Sequence, residues 1–365
     1  MNAITQVIAP PMGLLAELTH RCPLSCVYCS NPLEMERAAA ELDTEGWKRV
    51  LTEAADLGVL QVHFSGGEPM ARRDLEELVR HAREVDLYSN LITSGVTMTE
   101  ARLAKLKEAG LDHIQLSFQD VDAENAERIG GMKGAQARKI ACARMITAAD
   151  MALTINFVVH RQNVQNVGAM IALAHELGAR RVEIAHTQYY GWGLLNRDAL
   201  MPSRAQLEES TRVVESLRPA YEGKMAIDYI TPDYHASEPK PCMGGWARRF
   251  INISPAGRAL PCHAAETIKT LTFPSVRDFS LSDIWYGAAA FNRFRGTDWM
   301  PAPCQGCPLK EQDWGGCRCQ ALALMGDAAA TDPVCSRSPY HHKVKEALPA
   351  SELPAPDFVY RKNPK

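Results

Sequence analysis

Three cysteines in one short stretch, Cys22, Cys26 and Cys29, constrain this chain more than any other feature. They stand in the string Cys22-Pro-Leu-Ser-Cys26-Val-Tyr-Cys29. Three thiolates from one loop can hold three irons of a four-iron, four-sulfur cluster. Such clusters ordinarily take four cysteines, so the fourth iron is left for another ligand. A zinc site is the alternative, although zinc wants a fourth tetrahedral ligand and more often uses CxxC pairs. A second feature bears on the choice. Ser65-Gly66-Gly67-Glu68-Pro69 follows an apolar, strand-like run over 59–64. Paired glycines after a strand let backbone approach a ligand closely. The same pair also reads as a plain strand-to-helix turn.

At 365 residues the chain can bury a large core and form more than one domain. A net charge of −3 gives no electrostatic case for nucleic acid or an anionic membrane. No apolar run is long enough to span a bilayer, and the first eleven residues lack the pattern of a secretory signal. Eleven cysteines in such a chain point to metal or redox chemistry in a reducing compartment, with the cytoplasm as the expected location.

Strand-like and helix-like segments alternate over the first two-thirds. Strands are predicted over 13–18, 59–64, 87–93, 113–118, 152–159 and 181–185. Helices are predicted over 44–57 with Thr44 as cap, and over 74–85, 99–109, 135–149, 164–177 and 203–218. Six βα units imply a parallel sheet with helices outside, short of the eight of a closed barrel. A Pro- and Ser-rich linker lies near 232–241, and cysteine density rises after it: Cys242, Cys262, Cys304, Cys307, Cys317, Cys319 and Cys335. A segment this poor in apolar residues needs metal staples. The expected division is 1–235, 236–345, and a flexible, proline-rich tail over 346–365. Cys142 has no cysteine at ligand spacing and reads as a small buried residue.

The cysteine triad together with Gly66-Gly67-Glu68-Pro69 resembles the radical S-adenosylmethionine (SAM) enzymes. That resemblance implies an α/β fold, a partial (β/α)6 barrel with its active site at the C-terminal strand ends. It also implies a [4Fe-4S] cluster on Cys22, Cys26 and Cys29 whose open iron chelates SAM. Further SAM contacts are expected from Tyr28, Gly66, Gly67, Glu68, Ser94, Ser117, Gln119, Asn156 and Arg161. For each single polar residue an ordinary strand-end hydrogen bond is the competing reading. The Tyr189-Tyr190-Gly191-Trp192 string is read as lining a substrate pocket or capping the barrel.

The later cysteines resemble the SPASM domain, an extension of peptide-modifying radical SAM enzymes that holds up to two auxiliary clusters. Carried over by position, Cys242, Cys262, Cys317 and Cys319 bind the inner cluster. Cys304, Cys307 and Cys335 bind the outer one, with Asp313 where a fourth thiolate is usual. Carboxylate is a harder ligand than thiolate and less common for iron–sulfur. Two structural zinc sites are the alternative.

Within these enzymes the strings at 16–32, 115–120, 189–192, 258–264 and 313–320 resemble the peptide cyclases of pyrroloquinoline quinone (PQQ) biosynthesis. The Asp313/Cys317/Cys319 variant agrees with that branch. The resemblance implies that a 5′-deoxyadenosyl radical takes hydrogen from a glutamate γ-carbon of the PQQ precursor peptide, which then bonds to a tyrosine ring. It also implies a low-potential reductant such as flavodoxin. Because 21 residues precede Cys22, peptide recognition is expected from a separate chaperone, protein D of that pathway. Formylglycine-forming sulfatase maturation and a non-catalytic electron-transfer protein are the rival readings.

Overall fold

Alternating apolar runs and capped helices build a parallel sheet, and each element begins and ends on a local signal. The structure is a computed structural model and describes residues 8–348 and 354–361. Strands β1 (Gly13–Thr19), β2 (Gln61–Gly66), β3 (Tyr88–Thr93), β4 (His113–Phe118), β5 (Ala152–Val159) and β6 (Arg181–His186) are the six expected ones. Between them run α1 (Thr44–Leu57), α2 (Leu75–Glu84), α3 (Glu100–Ala109), α4 (Ala123–Gly130), α5 (Ala135–Ala148) and α6 (Val167–Glu176). After β6 come α7 (Gly191–Leu195), α8 (Arg197–Leu200) and α9 (Arg204–Tyr221). The cap of α1 is Asp43, which accepts from Gly46 N. The expected cap, Thr44, instead donates its hydroxyl to Asp74 at 2.7 Å. Gly58 ends the helix at φ 98°, a left-handed conformation that costs glycine little.

The sheet carries three strands beyond the six: β7 (Ala226–Ile230), β8 (Phe250–Ile253) and β9 (Ala259–Leu260). Its order is β7-β6-β5-β4-β3-β2-β1-β8-β9, parallel except for β9, and it does not close. The partial-barrel expectation therefore holds, with a difference at the domain boundary. β8 comes from the cysteine-rich region yet pairs with β1, Leu15 opposite Asn252, so one sheet runs through both regions.

Alternation along each strand sorts the two faces. Leu14, Ala16, Val62, Phe64, Leu91, Ile114, Leu116, Ile155, Phe157, Val182 and Ile184 are fully buried and belong to the main core. The opposite face is polar. Gln115 Nε2 and Asn156 Nδ2 each donate to Glu183 Oε2 at 2.9 Å, and Asn90 Nδ2 lies 3.0 Å from His63 Nδ1. Burial raises the Glu183 pKa, which the Asn156 donor partly offsets. Cys142 is fully buried in the core, as expected.

After β9 the chain forms short helices: α10 (Leu281–Gly287), α11 (Ala289–Asn292), α12 (Lys310–Asp313), α13 (Arg318–Met325) and α14 (His341–Ala347). Asp332 is a hub here, accepting from Cys317 N at 2.8 Å, Gln320 Nε2 at 3.0 Å and Val334 N at 2.9 Å. Arg318 is 1 % exposed and donates to the Ala328 and Ala330 carbonyls at 3.0 and 2.8 Å. These polar ties add to an apolar core that the expectation of a segment poor in apolar residues did not foresee: Val276, Leu281, Trp285 and Phe291 are fully buried in the main core.

The expected flexible tail does not describe residues 354–361. Phe358 packs on a second core cluster with Val27, Ile129 and Tyr189. The Arg128 guanidinium lies 4.7 Å from the Phe358 ring centre. Composition alone hides this anchorage. The expected tail's other residues are partly helix α14 and partly outside the described residues.

Candidate active site

The cysteine loop leaves β1 at a register shift between Glu17 and Thr19, a bulge that redirects the chain at the C-terminal edge of the sheet. Two backbone hydrogen bonds to α4 then hold the loop, Ser25 N to Gly130 O at 2.8 Å and Val27 N to Ile129 O at 3.2 Å. The two glycines after β2 fit against the start of this loop. A Cβ on Gly66 would lie 2.3 Å from Thr19 O, and one on Gly67 2.6 Å from Arg21 O. Gly66 also has φ 122°, so no other residue serves here. The glycine pair is thus a packing requirement as well as a ligand approach.

A cavity of about 400 Å³ opens at this edge. Its wall brings together Cys22, Cys26, Cys29, Tyr28, Gly66, Gly67, Ser94, Ser117, Gln119 and Asn156, ten of the twelve residues expected for cluster and SAM. Gln119 Nε2 donates to Tyr28 Oη at 2.9 Å and lies 3.7 Å from Cys26 Sγ. The other two stand apart. Glu68 is 1 % exposed and turns its carboxylate inward. It accepts from Thr93 Oγ1 at 2.6 Å, Ser94 N at 2.8 Å, Ser94 Oγ at 2.5 Å and Met70 N at 3.1 Å. Arg161 does not line the cavity; its N–H donates to Leu200 O at 2.8 Å and its carbonyl accepts from Gln206 at 3.0 Å.

Burial pushes the Cys22 and Cys29 thiols up to about 11 and raises Cys26 as well. Three half-buried, soft sulfur donors suit iron, whose charge offsets the cost of forming thiolates there. Cations stand close by. Lys139 on α5 is fully buried and donates to Ser117 O at 2.8 Å and Gln119 Oε1 at 2.5 Å. Burial brings its pKa down to about 8, with the Cys26 charge pulling the other way. Sequence reasoning missed Lys139 because it sits mid-helix in an unremarkable alanine-rich stretch. It also missed Glu17, His263 and Arg361, which complete the wall. Strand alternation marks Glu17, and adjacency to Cys262 marks His263. Burial opposes protonation of His263, but the Glu17 carboxylate on its Nδ1 outweighs it, and the pKa is pushed up to about 9.

A second cavity, about 520 Å³, continues from the first, and both walls include Leu15, Ile92, His186, Gln188, Ile230 and His263. Its far wall holds Cys242, Cys262 and Cys317 beside Tyr189 and Tyr190. The four inner cysteines converge. Cys262 Sγ is 4.0 Å from Cys319 Sγ, and hydrogen bonds from Cys242 and Cys319 hold Cys262 and Cys317 toward the thiolate. Tyr190 Oη lies 3.0 Å from Cys317 Sγ and donates to that thiolate. Four sulfurs packed this closely cannot all ionise without a cation among them, so this donor set also fits an iron–sulfur group.

The outer set is nearer the surface. Burial pushes Cys304 up to about 11, with the charges of Cys335 and Asp313 adding to it, so these three are neighbours. Arg337 Nη1 donates to Cys307 Sγ at 3.2 Å. Trp314, Gly315 and Gly316 run left-handed at φ 52°, 76° and 73°, which parts Asp313 from Cys317 and sends them to different sets. A third hollow, about 570 Å³, sits at the N-terminal ends of β6 and β7 by Arg180 and Ala226, and no cysteine lines it. No helix among the described residues is long and apolar enough to cross a membrane.

An unclosed parallel β/α sheet with a three-cysteine loop at its C-terminal edge, followed by a cysteine-rich module, defines a radical SAM enzyme. Residues 16–174 match the radical SAM superfamily and 242–308 match SPASM, an iron–sulfur cluster-binding domain. The fold is similar to Streptococcus suis SuiB bound to S-adenosylmethionine, with a TM-score of 0.74 and 20% identity over 90% of this chain and 77% of that one. It is also similar to anSMEcpe with bound AdoMet and Kp18Cys peptide, at 0.66 and 15% over 93% and 96%. Over 354 residues the chain is 66% identical to the PqqA peptide cyclase of Gluconobacter oxydans (strain 621H), covering 97% of this chain and 98% of that one. It is 64% identical to that of Granulibacter bethesdensis, covering 97% and 95%. The chain belongs to the PqqA peptide cyclases, radical SAM enzymes of PQQ biosynthesis.

Proposed function

We propose that this enzyme joins the γ-carbon of a glutamate to the ring of a tyrosine in the PQQ precursor peptide, PqqA. The observation that carries the reading is the pair of contiguous cavities, one walled by Cys22, Cys26 and Cys29, the other reaching Cys262 and Cys317. When bound in the first, a reduced [4Fe-4S] cluster with SAM supplies a 5′-deoxyadenosyl radical, a hydrogen-atom acceptor. Gly66, Gly67, Ser94, Ser117, Gln119 and Asn156 position SAM, and Tyr28 closes the adenine side. Glu68 acts on the site indirectly, by fixing Ser94 against the glycine turn.

The peptide occupies the second cavity, where Tyr189, Tyr190 and His186 exclude water from the reacting carbons. The carbon radical adds to the tyrosine ring, and loss of one proton and one electron restores aromaticity. The peptide thus leaves two hydrogens lighter. Cys242, Cys262, Cys317 and Cys319 hold an inner auxiliary cluster on the cavity wall, positioned to take that electron. Cys304, Cys307, Asp313 and Cys335 hold an outer one. Flavodoxin or a similar low-potential protein primes the reaction, and the pathway's peptide chaperone, protein D, delivers the substrate, all in the cytoplasm.

The test is anaerobic incubation of reconstituted enzyme with SAM, reductant, chaperone and PqqA, read by mass spectrometry. The expected product is lighter by two hydrogens and resists fragmentation between a Glu and a Tyr. Cys22→Ala is expected to abolish both the product and SAM cleavage. An unmodified peptide alongside released deoxyadenosine would reject the crosslink.

A further inference from the structure

Residues 354–361 return to the cysteine loop and grip it at several points. Asn196 is 3% exposed and faces Val359 from both sides of its amide. Its Nδ2 donates to Val359 O at 2.9 Å, and its Oδ1 accepts from Val359 N at 2.7 Å. The same Nδ2 donates to Val27 O, inside the cysteine loop, at 3.0 Å. Tyr360 Oη donates to Arg128 O at 2.8 Å, close to where α4 receives that loop. These contacts deliver Arg361 to the wall of the first cavity, alongside Cys22, Cys26 and Cys29. There its guanidinium donates to Leu24 O, to Cys22 O at 3.2 Å and to Met35 Sδ at 3.3 Å.

We infer that Arg361 is a positioning residue of the cluster and SAM site, a clamp whose Nη2 holds two carbonyls of the cysteine loop while its Nη1 rests on Met35 Sδ. The inference rests on the reading of Cys22, Cys26 and Cys29 as the SAM-binding cluster site. Two physical reasons support it. With Nη1 anchored at Met35 and Nη2 shared by two carbonyls, the planar guanidinium fixes the path of Cys22 to Leu24, the start of the loop that carries the three thiols. Its guanidinium also shares the wall of the first cavity with all three sulfurs, which sets a fixed positive charge at the mouth of the cysteine loop. Nothing in the sequence flags it: a lone arginine follows Phe-Val-Tyr in a proline-rich, polar stretch.

The test compares Arg361→Ala, Arg361→Lys and a chain stopped before Pro354 with the full enzyme, each reconstituted anaerobically. SAM affinity is measured by equilibrium dialysis, and the paramagnetic resonance signal of the reduced first cluster is recorded with and without SAM. Arg361→Ala and the shortened chain are expected to lose SAM affinity by about tenfold or more, as for a charged hydrogen bond. Both should weaken the SAM-induced change in that signal, while the auxiliary-cluster signals and the thermal midpoint of Arg361→Ala stay unchanged. Lysine keeps the charge but lacks the second, rigidly placed nitrogen that anchors on Met35, so Arg361→Lys is expected to recover only part of the affinity. Unchanged SAM affinity in Arg361→Ala, or full recovery by Arg361→Lys, would overturn the clamp. Cys22→Ala separates the two levels: if it keeps full SAM affinity and iron, the site reading itself fails.

Discussion

The hydroxyl of Tyr190 shows how much one side chain can decide in this enzyme. It points at Cys317 Sγ from 3.0 Å, at the junction of the second cavity and the inner cysteines. A donor on a ligand sulfur draws charge from it and favours the more negative, reduced cluster. Tyr190→Phe is therefore expected to lower the midpoint potential of the proposed inner cluster while leaving its iron content intact. A potentiometric titration followed by paramagnetic resonance checks this, and an unmoved midpoint would reject the hydrogen bond's role. Asp313 poses the matching question at the outer set. Asp313→Ala is expected to change that cluster's spectrum without affecting SAM binding, and an unchanged spectrum would reject ligation.

Between elements, Glu68 shows what motif reading finds and what it misses. The glycine pair and the triad were legible because metal and backbone chemistry restrict them to few residue types. Glu68 was legible as part of the same motif, yet its carboxylate serves the protein, tying the end of β2 to that of β3 through Thr93 and Ser94. Glu68→Ala strands those buried donors, at a cost of about 1–3 kcal/mol. The denaturant midpoint should fall accordingly, and an unaltered midpoint would contradict the account. The six strands were legible from apolar alternation, but β7 and β8 were not, since each is short and lies in a Pro-, Gly- or charge-rich setting. Lys139 and Arg361 were illegible because a single cation on a helix or in a polar stretch ordinarily faces solvent. Only tertiary folding brings them to the cysteine loop.

At the scale of the molecule, the sheet's polar face shelters groups that must stay neutral. Burial holds His160 and His186 down to about 3, with nearby cations adding to it. The sign follows from comparing the two states. Below about pH 6.5 the unfolded chain takes up protons that the folded one refuses, so stability falls as pH drops toward 3. At pH 5.5 each histidine withdraws about 1.4 kcal/mol. Unfolding at that pH should take up about one proton fewer in His160→Asn than in the parent, as read on a pH-stat; equal uptake would contradict the shift.

The same architecture sets the two cavities mouth to mouth, and the most direct test of that juxtaposition is isotopic. PqqA carrying deuterium at the glutamate γ-carbon would be turned over anaerobically, and the 5′-deoxyadenosine collected for mass analysis. One deuterium in 5′-deoxyadenosine is expected for each crosslinked peptide formed. Crosslinked peptide with unlabelled 5′-deoxyadenosine would contradict it.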